Sequence, residues 1–287
     1  MTNLPDIALS AKLGDYVKAY PGAKVGDLTI IEGFTQIWSG VEIGARVRVE
    51  AGVVFVKNVG AERVGSETTR VSDGVHLGAG SIIGLGVTIG LGAVIEPGTV
   101  VLQNIPANAV VGGAPARITG YTQTHTPNFE ATQGRAVINN HETATQVGVG
   151  GVTLHRLKLV RDVRGDLSVG EFQNEVPFLP KRYFLVFDVP SEKVRGEHAH
   201  HRCHQFLVCV KGKCAVLVDD GCRRCEIELD APNMGLYLPP LIWGVQYKYS
   251  PDAILLVFTS DYYDPADYIR DYQEFVATVQ RSNQSSA

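Results

Sequence analysis

The sequence predicts an all-β protein in two parts: a parallel β-helix, then a small jelly-roll barrel that ends in one α-helix. Three observations predict it: a six-residue apolar repeat in the first third, short alternating strands in the second half, and helical spacing near the end. With 287 residues the chain exceeds one typical core. We expect a first domain at 1–121, a linker at 122–150 and a second domain at 151–287.

A medium-sized apolar residue recurs at every sixth position from Ile7 to Phe55, and the same six-residue period resumes from Val71 to Val101. A fixed short period marks a solenoid, and a six-residue period with inward aliphatics indicates a parallel β-helix with three short strands per coil. Neighbouring coils stabilise one another, because an isolated coil cannot bury its apolar side. The fifteen positions, which make five coils, are Ile7, Leu13, Ala19, Val25, Ile31, Ile37, Ile43, Val49, Phe55, Val71, Leu77, Ile83, Ile89, Ile95 and Val101.

The repeat and its closing segment, residues 104–117, carry a family resemblance. Residues 5–121 resemble the left-handed β-helix of the hexapeptide-repeat acyltransferases. The resemblance implies a homotrimer that binds acetyl-CoA between prisms and transfers the acetyl group to an amine or hydroxyl. In such a cleft Gly92 and Ala93 would let pantetheine lie close to the backbone. Arg117 could meet the CoA phosphates, or it is only a charged lid on the last coil.

The interruption of the repeat at residues 56–70 predicts the acceptor site of this domain, because a loop excluded from a solenoid often builds a site; a tolerated insertion is the alternative. Related sugar-nucleotide N-acetyltransferases have a substrate loop at this place. The resemblance assigns Asn58 to the sugar amine or the thioester carbonyl, and a turn-capping asparagine is the alternative. His76 lies between inward Val75 and Leu77, so alternation turns it outward. It is the candidate base for the attacking amine, with a solvated surface histidine as the alternative.

The composition of the chain limits the binding partners and the cellular compartment that we expect. A formal net charge of −4 argues against nucleic acid or an anionic membrane as partner. We expect no membrane span and no signal peptide, because no apolar run is long enough and the N-terminus lacks an apolar core. All five cysteines lie within residues 203–225. An odd number without a secretion signal predicts reduced thiols and a cytoplasmic protein.

The second half has the pattern of a small barrel. Residues 205–210 and 214–218 are apolar runs typical of strands, and 219–221 (Asp-Asp-Gly) predicts a hairpin turn between strands. Many short strands between turns favour a barrel or jelly roll. Helical spacing covers residues 264–280, with the Asp-Pro pair at 264–265 as its start signal.

Two histidines, His198 and His200, project to the same face of a strand because they are two residues apart. Their surroundings follow the first metal-binding signature of the cupin barrels. Gln205 stands at the acidic position, however, and Gly244 stands where the second signature supplies a histidine. A neutral amide is a poorer ligand for divalent cations than a carboxylate, so we predict a barrel without metal. The alternative is a zinc site on Cys222 and Cys225, completed by Cys203, His204 or Cys214.

Five segments together carry a second resemblance: Asp162-Val-Arg164-Gly-Asp-Leu, Lys181-Arg182, Arg195-Gly-Glu-His198-Ala-His200, Gly235 through Trp243, and Ser260-Asp-Tyr-Tyr-Asp. Through them residues 152–280 resemble the sugar-nucleotide 3,4-ketoisomerases, metal-free cupins that act on dTDP-4-keto-6-deoxyglucose. The resemblance implies that a neutral histidine removes the C3 hydrogen, which the C4 ketone acidifies, and that a proton is delivered to C4. His198 and His200 are the candidate acid–base pair, with purely structural histidines as the alternative.

The remaining predicted substrate contacts are arginines and aromatic residues. Arg164, Arg182 and Arg195 could hold the diphosphate or the enediolate, and a surface salt bridge is the alternative for each. Tyr183 and Trp243 complete the predicted substrate site.

Two departures from the family leave the stereochemistry of the product and the full activity of the barrel open. Phe184 stands where the family tends to have a tyrosine, and the adjacent Tyr183 lies on the other face of the strand. Gly244 replaces a polar residue that helps to decide the configuration at C4.

Fusions of these two kinds of enzyme are known in pathways to 3-acetamido-3,6-dideoxyhexoses. The sequence therefore predicts a bifunctional enzyme, which ketoisomerises dTDP-4-keto-6-deoxyglucose and N-acetylates dTDP-3-amino-3,6-dideoxyhexose. A separate aminotransferase would act between the two steps. The alternatives are an acetyltransferase whose cupin only binds nucleotide or drives assembly, a 3,5-epimerase, and a structural trimer without activity. Dimerisation of the barrels would turn a homotrimer into a hexamer.

Overall fold

The structure, a computed structural model, describes residues 4–56, 68–125, 144–190 and 193–285. The chain divides into two compact units, residues 1–122 and 123–287. The regular secondary structure of the described residues is nearly all β, as the sequence predicts, with one α-helix at the C-terminal end. None of the described residues forms a helix long and apolar enough to cross a membrane.

The first unit is a parallel β-helix. From β1 to β15, strands three apart in the chain pair in parallel and fall in rotation on three sheets. At the end, β16 pairs in parallel with β14, and β17 pairs antiparallel with β16. The sheet orders are β1-β4-β7-β10-β13, β17-β16-β14-β11-β8-β5-β2 and β15-β12-β9-β6-β3. Its strands are β1 (Asp6–Ile7), β2 (Lys12–Leu13), β3 (Lys18–Ala19), β4 (Lys24–Val25), β5 (Ile30–Ile31), β6 (Gln36–Ile37), β7 (Val41–Ile43), β8 (Arg48–Val49), β9 (Val54–Phe55), β10 (Thr69–Val71), β11 (His76–Leu77), β12 (Ile82–Ile83), β13 (Thr88–Ile89), β14 (Val94–Ile95), β15 (Val100–Val101), β16 (Ala109–Gly112) and β17 (Arg117–Tyr121).

The core of the prism is the column of sixth-position side chains. From Val25 to Val101 each of them is at most 3% exposed. The first coil departs from this rule, since Leu13 is 40% exposed with no coil stacked above it among the described residues. The interruption does not disturb the stack, because β10 pairs in register with β7 across it. The six-residue repeat is thus confirmed on both sides of the interruption, and residues 57–67 lie outside the described residues.

The second unit is a cupin-like barrel of two six-stranded sheets, with the orders β18-β27-β26-β29-β24-β31 and β19-β20-β28-β25-β30-β23, plus a separate hairpin of β21 and β22. Strands β18 and β19 belong to these sheets although both lie within the predicted linker. The strands are β18 (Thr124–His125), β19 (Ala144–Gln146), β20 (Thr153–Arg156), β21 (Lys158–Asp162), β22 (Gly165–Val169), β23 (Arg182–Phe187), β24 (Arg195–His200), β25 (Gln205–Lys211), β26 (Cys214–Asp219), β27 (Arg224–Leu229), β28 (Met234–Leu238), β29 (Trp243–Tyr247), β30 (Ile254–Thr259) and β31 (Tyr268–Ile269).

The C-terminal helix begins later than the spacing predicts. Residues Pro265–Asp267 form one 3-10 turn, and the helix α1 covers Tyr272–Ser285. Between them β31 pairs with the last two residues of β24, and this strand pairing overrides the helical spacing. The predicted helix start at Asp264 is therefore wrong. Asp271 caps α1 instead, since its carboxylate accepts a hydrogen bond from the backbone N–H of Glu274 at 2.8 Å.

A buried polar network docks α1 against the barrel. Asp219, 1% exposed at the end of β26, accepts hydrogen bonds from Tyr272 at 2.6 Å and from Arg224 at 2.5 Å. The Trp243 ring packs edge-on against Tyr272, at 5.3 Å between centroids, and against Phe275 of the same helix. The chain that follows the 3-10 turn is thereby held in place from both ends.

Adjacent isoleucines on β5 provide a matched test of the prism core. Ile31 is fully buried whereas Ile30 is 43% exposed. We predict that Ile31→Ala lowers the free energy of unfolding of the β-helix by about 3 kcal/mol, because it removes buried methyl groups and leaves a cavity. Ile30→Ala should cost less than about 1 kcal/mol. Urea denaturation of the full chain measures both, and equal losses would contradict the inward assignment of the sixth positions.

Candidate active site

A cavity of about 430 Å³ lies in the barrel, lined by residues of β23, β24, β25, β29 and β30. Its apolar wall consists of side chains from Phe184, Val186, Leu207 and Val257, and polar groups enter it from four residues, Arg195, His198, Gln205 and Gln246. A mostly apolar pocket with a few convergent polar groups is the usual form of a small-molecule site.

His198 reaches the cavity from a β-bulge. The register between β24 and β29 skips Glu197, which has a φ of 56°, and the bulge sets His198 opposite Gly244. The Nδ1 atom of His198 lies 2.9 Å from the carbonyl oxygen of Gly196. A carbonyl only accepts hydrogen bonds, so Nδ1 carries the hydrogen and the Nε2 atom keeps a basic lone pair.

His200 lies deeper, at 5% exposure, with both ring nitrogens engaged. Its Nδ1 atom is 2.9 Å from a carboxylate oxygen of Asp267. Its Nε2 atom is 3.2 Å from the amide nitrogen of Gln205. An amide nitrogen donates, so His200 accepts through Nε2 and donates through Nδ1. The ring is therefore also held as the neutral Nδ1–H tautomer.

Burial keeps the two imidazoles uncharged. Their ring centroids are 4.9 Å apart, and Tyr268 contacts both rings. Removal from water lowers the pKa of His198, although the Gly196 carbonyl opposes this. Burial, then the neighbouring His198, lowers the pKa of His200 to about 4, against the opposing effect of Asp267. Both rings are thus neutral near pH 7, as a general base requires.

Asp267 is the functional residue that the sequence did not identify. It is 5% exposed, and besides His200 its carboxylate accepts hydrogen bonds from the backbone N–H groups of Arg202 and Cys203. The carboxylate reaches the histidines because β31, which follows it directly, pairs with the end of β24. No spacing in the sequence signals this long-range pairing.

The residues present do not fit a divalent metal. In the described ranges one group of three ligand atoms, from His200, Cys203 and Asp267, lies within 4.8 Å of one another. The Asp267 carboxylate already accepts hydrogen bonds, and it fixes the tautomer of His200. The other cupin ligand positions hold the amide of Gln205 and the bare backbone of Gly244. This donor set forms a hydrogen-bond network rather than a metal centre.

Two of the five predicted substrate residues lie at or near the cavity. Arg195 lines it. Arg182 lies beside it, where its Nε atom donates to the Thr259 hydroxyl at 3.3 Å and its charge reaches His200. Phe184, which stands in place of the family tyrosine, forms part of the wall.

Three others lie outside the cavity in this unit. Tyr183 is 66% exposed, because alternation along β23 turns it away from Phe184. Arg164, at the turn of the exposed β21–β22 hairpin, forms an ion pair with Asp162 at 2.7 Å. Trp243 is buried against α1 and serves the core. None of the three residues lines this cavity, and their roles in substrate binding stay predictions.

The zinc alternative is wrong for the described chain. Cys222 is exposed at the β26–β27 turn, whereas Cys225 is buried inside the barrel. Residues on opposite sides of the barrel wall cannot share one ion. Neither cysteine belongs to a metal-capable group among the residues that the structure describes.

In the β-helix, His76 faces outward as predicted and pairs with an acid. Its Nε2 atom lies 2.8 Å from one carboxylate oxygen of Glu50, whose other oxygen accepts from the Ala79 backbone N–H at 2.9 Å. The hydrogen bonds from His76 and Ala79 lower the pKa of Glu50. Asn58, the other predicted residue of this site, lies outside the described residues.

The three residues predicted to contact acetyl-CoA differ in how much of each is accessible to a ligand. The Ala93 side chain is fully buried in the prism, so only its backbone can border a ligand. Gly92 turns a corner with a φ of 62°, where a Cβ atom would lie 2.8 Å from the Asn108 side-chain oxygen. Arg117 is exposed on β17.

Fold and site define the second unit as a sugar-nucleotide cupin, and sequence comparison agrees. Residues 150–280 match the family described as "FdtA: WxcM-like, C-terminal". The TDP-4-oxo-6-deoxy-alpha-D-glucose-3,4-oxoisomerase of Aneurinibacillus thermoaerophilus is 42% identical over 126 residues, 44% of this chain and 91% of that protein. The chain belongs to this family through its second unit.

Solved structures of similar proteins cover a comparable share of the chain. QdtA, a sugar 3,4-ketoisomerase from Thermoanaerobacterium thermosaccharolyticum in complex with TDP, is 33% identical, with a TM-score of 0.45 over 46% of this chain and 96% of that one. A 3,4-ketoisomerase from Helicobacter canadensis is 35% identical, with a TM-score of 0.44 over 45% and 97%.

The depressed pKa of His200 predicts an acid-labile barrel. Its folded pKa of about 4 lies below the unfolded value, so the unfolded chain binds more protons between those values. Stability is complete above about pH 6.5 and is lost as the pH falls toward 4. We expect His200→Gln to remove about 2.5 kcal/mol of the loss that urea denaturation records between about pH 7.5 and pH 4.5. The exposed neighbour provides the control, His201→Gln, which should leave the pH dependence intact. A wild-type slope in His200→Gln would show that His200 titrates normally.

Proposed function

We propose that the second unit catalyses 3,4-ketoisomerisation of dTDP-4-keto-6-deoxyglucose. The observation that carries the proposal is a neutral His198 whose Nε2 lone pair enters an apolar cavity while its Nδ1 hydrogen is held by Gly196. The relative that is 42% identical is named for this reaction. The cavity has the size of a small-molecule pocket.

In the proposed reaction His198 Nε2 removes the hydrogen on C3, which the adjacent C4 ketone acidifies. An enediol forms across C3 and C4. The His198 imidazolium then returns the proton to C4, while the hydrogen of the C3 hydroxyl passes to the oxygen on C4. One hydrogen moves from C3 to C4 and one from oxygen to oxygen, so the reaction consumes no other reagent.

The neighbouring groups support this chemistry. Arg195 places a guanidinium at the cavity, where it can stabilise the developing enediolate or hold the diphosphate. His200 was predicted as one half of an acid–base pair. Both of its ring nitrogens are engaged, one by Asp267 and the other by Gln205. We therefore propose that His200 is a positioning residue, whose neutral ring packs against His198 and holds it in place.

Replacing the base should abolish proton transfer. We predict that His198→Asn lowers deuterium incorporation at C3 and C4 about 10²- to 10⁴-fold in D₂O, the usual range for loss of a general base. Because burial lowers the pKa of His198, the acid limb of the wild-type rate profile should fall below about pH 6.5. The control is His201→Asn, an exposed neighbour that should retain wild-type exchange.

The same experiment separates the rival functions of the barrel. Deuterium at C5 in place of C3 would identify a 3,5-epimerase. If the wild-type protein introduces no deuterium into the sugar, the barrel is not an isomerase, and its role is nucleotide binding or assembly.

We also propose that the first unit N-acetylates a dTDP-3-amino-3,6-dideoxyhexose with acetyl-CoA. The parallel β-helix and the interruption of its sequence repeat support this proposal, as does an outward histidine that is oriented by a carboxylate. His76 would accept a proton from the attacking ammonium, and Glu50 would stabilise the imidazolium that results. A separate aminotransferase supplies the amine, which makes the two units the first and last steps of one route.

The proposed acetyl-CoA clefts lie between prisms, so the acetyltransferase proposal includes a homotrimer. Gly92, the backbone at Ala93, and Arg117 are its proposed cofactor contacts, and Asn58 its proposed acceptor contact. Sedimentation of the full chain tests this assembly: a monomer at assay concentration would leave the clefts unformed, whereas a trimer or hexamer is expected.

Each activity should be removable without the other. We predict that His76→Asn lowers thiol release from acetyl-CoA about 10²-fold with the 3-amino sugar nucleotide, while deuterium exchange in the barrel stays at the wild-type rate. The reverse should hold for His198→Asn. Unchanged thiol release in His76→Asn would remove His76 as the base, and a wild-type protein without thiol release would remove the acetyltransferase proposal itself.

A further inference from the structure

Gln246 is the cavity residue that the mechanism above does not use. It lies on β29, is 8% exposed, and borders the cavity beside Arg195 and His198. Across the described ranges of the chain, no residue makes a hydrogen bond with its side-chain amide. A carboxamide is normally hydrogen-bonded when buried, so one that is more than nine-tenths buried and faces a cavity points to a ligand.

The amide lies next to the proposed base. In the β24–β29 ladder Gln246 is directly opposite Arg195, and Gly244, two residues away on the same face, is opposite His198. A Cβ atom placed on Gly196 would lie 3.0 Å from both the amide nitrogen and the amide oxygen of Gln246. The amide therefore packs flat over Gly196, the residue whose carbonyl holds the Nδ1 hydrogen of His198.

Gly244 explains how the amide fits there. A Cβ atom on Gly244 would lie 3.8 Å from the Gln246 amide nitrogen and 3.2 Å from a methyl group of Leu238. Any larger side chain at 244 would compete with the amide for this space. The polar group missing at position 244 is thus matched by one two residues later, on the same face of the strand.

We propose that the Gln246 amide binds the two sugar oxygens between which the ketone moves. This inference rests on the proposed ketoisomerase function and names the sugar contact within that site. A carboxamide offers both a donor and an acceptor. It donates to the carbonyl oxygen and accepts from the neighbouring hydroxyl. The product has the same pair in reversed order, and a rotated amide binds it equally well.

The amide also suits the reaction between these states. As charge develops on the enediolate, the N–H donor stabilises it without supplying a proton of its own. A carboxylate at this place would repel the enediolate and raise the pKa of His198. Gln246 is therefore proposed as a substrate-binding residue that fixes C3 under the Nε2 atom of His198.

The test replaces the amide by apolar side chains of similar size, in the variants Gln246→Leu and Gln246→Met. Two variants guard against misfolding of one, and an exposed glutamine of α1 supplies the control variant, Gln273→Leu. We expect kcat/KM for dTDP-4-keto-6-deoxyglucose to fall about 10- to 100-fold, the effect of losing one or two hydrogen bonds. Affinity for dTDP alone, measured by calorimetry, should stay within about two-fold of the wild type, and Gln273→Leu should change neither quantity.

Each other outcome has a defined meaning. Wild-type kcat/KM in a folded Gln246 variant overturns the inference, and so does an equal loss of affinity for dTDP, which would place the amide at the nucleotide or in the fold. If the wild-type protein does not isomerise the sugar, the proposed function fails. The inference is then judged by the affinity for the keto-sugar nucleotide relative to dTDP: a selective loss in Gln246→Leu supports it, and an unchanged ratio overturns it.

Discussion

The hydrogen bond from His198 to the Gly196 carbonyl is the constraint on which the site depends. It leaves Nε2 as the basic atom at the cavity. The backbone must bend sharply to make it: Gly196 has a φ of 84°, and Glu197 bulges out of the ladder. A Cβ atom on Gly196 would lie 2.5 Å from the Gly244 carbonyl oxygen, so only glycine permits this approach of the strands. The tautomer of the base is thus set by main-chain geometry.

The imidazole of His200, next to His198, is held in place by residues near the C-terminal end of the chain. Asp267 reaches His200 because β31 is paired with β24, and Tyr268 follows directly and packs on both rings. Strand β31 in turn leads into α1, which the buried Asp219 network docks against β26 and β27. The helix therefore supports a site that none of its own residues lines. Loss of this docking would release Asp267 before it disturbed the cavity wall.

How much the sequence could predict depends on the range of the interactions involved. In the β-helix each sixth-position residue contacts its counterpart in the next coil. A local six-residue period, such as that of Ile31 and Ile37, therefore predicts the architecture of the whole unit. The pairing of His198 with His200 is also local, because residues two apart share a strand face. Asp267 and Gln246 became site residues only through pairings with distant strands, which no period records.

The differences between the sequence patterns and the structure have the same origin. Tyr183 is adjacent to Phe184 but lies on the other face of β23, as alternation predicts. Trp243 belongs to a family motif, yet its ring is taken up by packing against α1. The 264–271 segment has helical spacing, but its apolar residues serve a strand. In each case a tertiary contact decided between two local structures that the sequence allows.

The tautomer of His198 is the central claim, and nitrogen-15 NMR of histidine-labelled protein measures it directly. Long-range nitrogen–proton correlation spectra distinguish a protonated nitrogen from a bare one in each ring. The structure predicts a neutral His198 near pH 7 with its hydrogen on Nδ1 and an unprotonated Nε2 atom. A hydrogen on Nε2, or an imidazolium at that pH, would contradict the account, because in either state the Nε2 atom of His198 could not take a proton from the sugar.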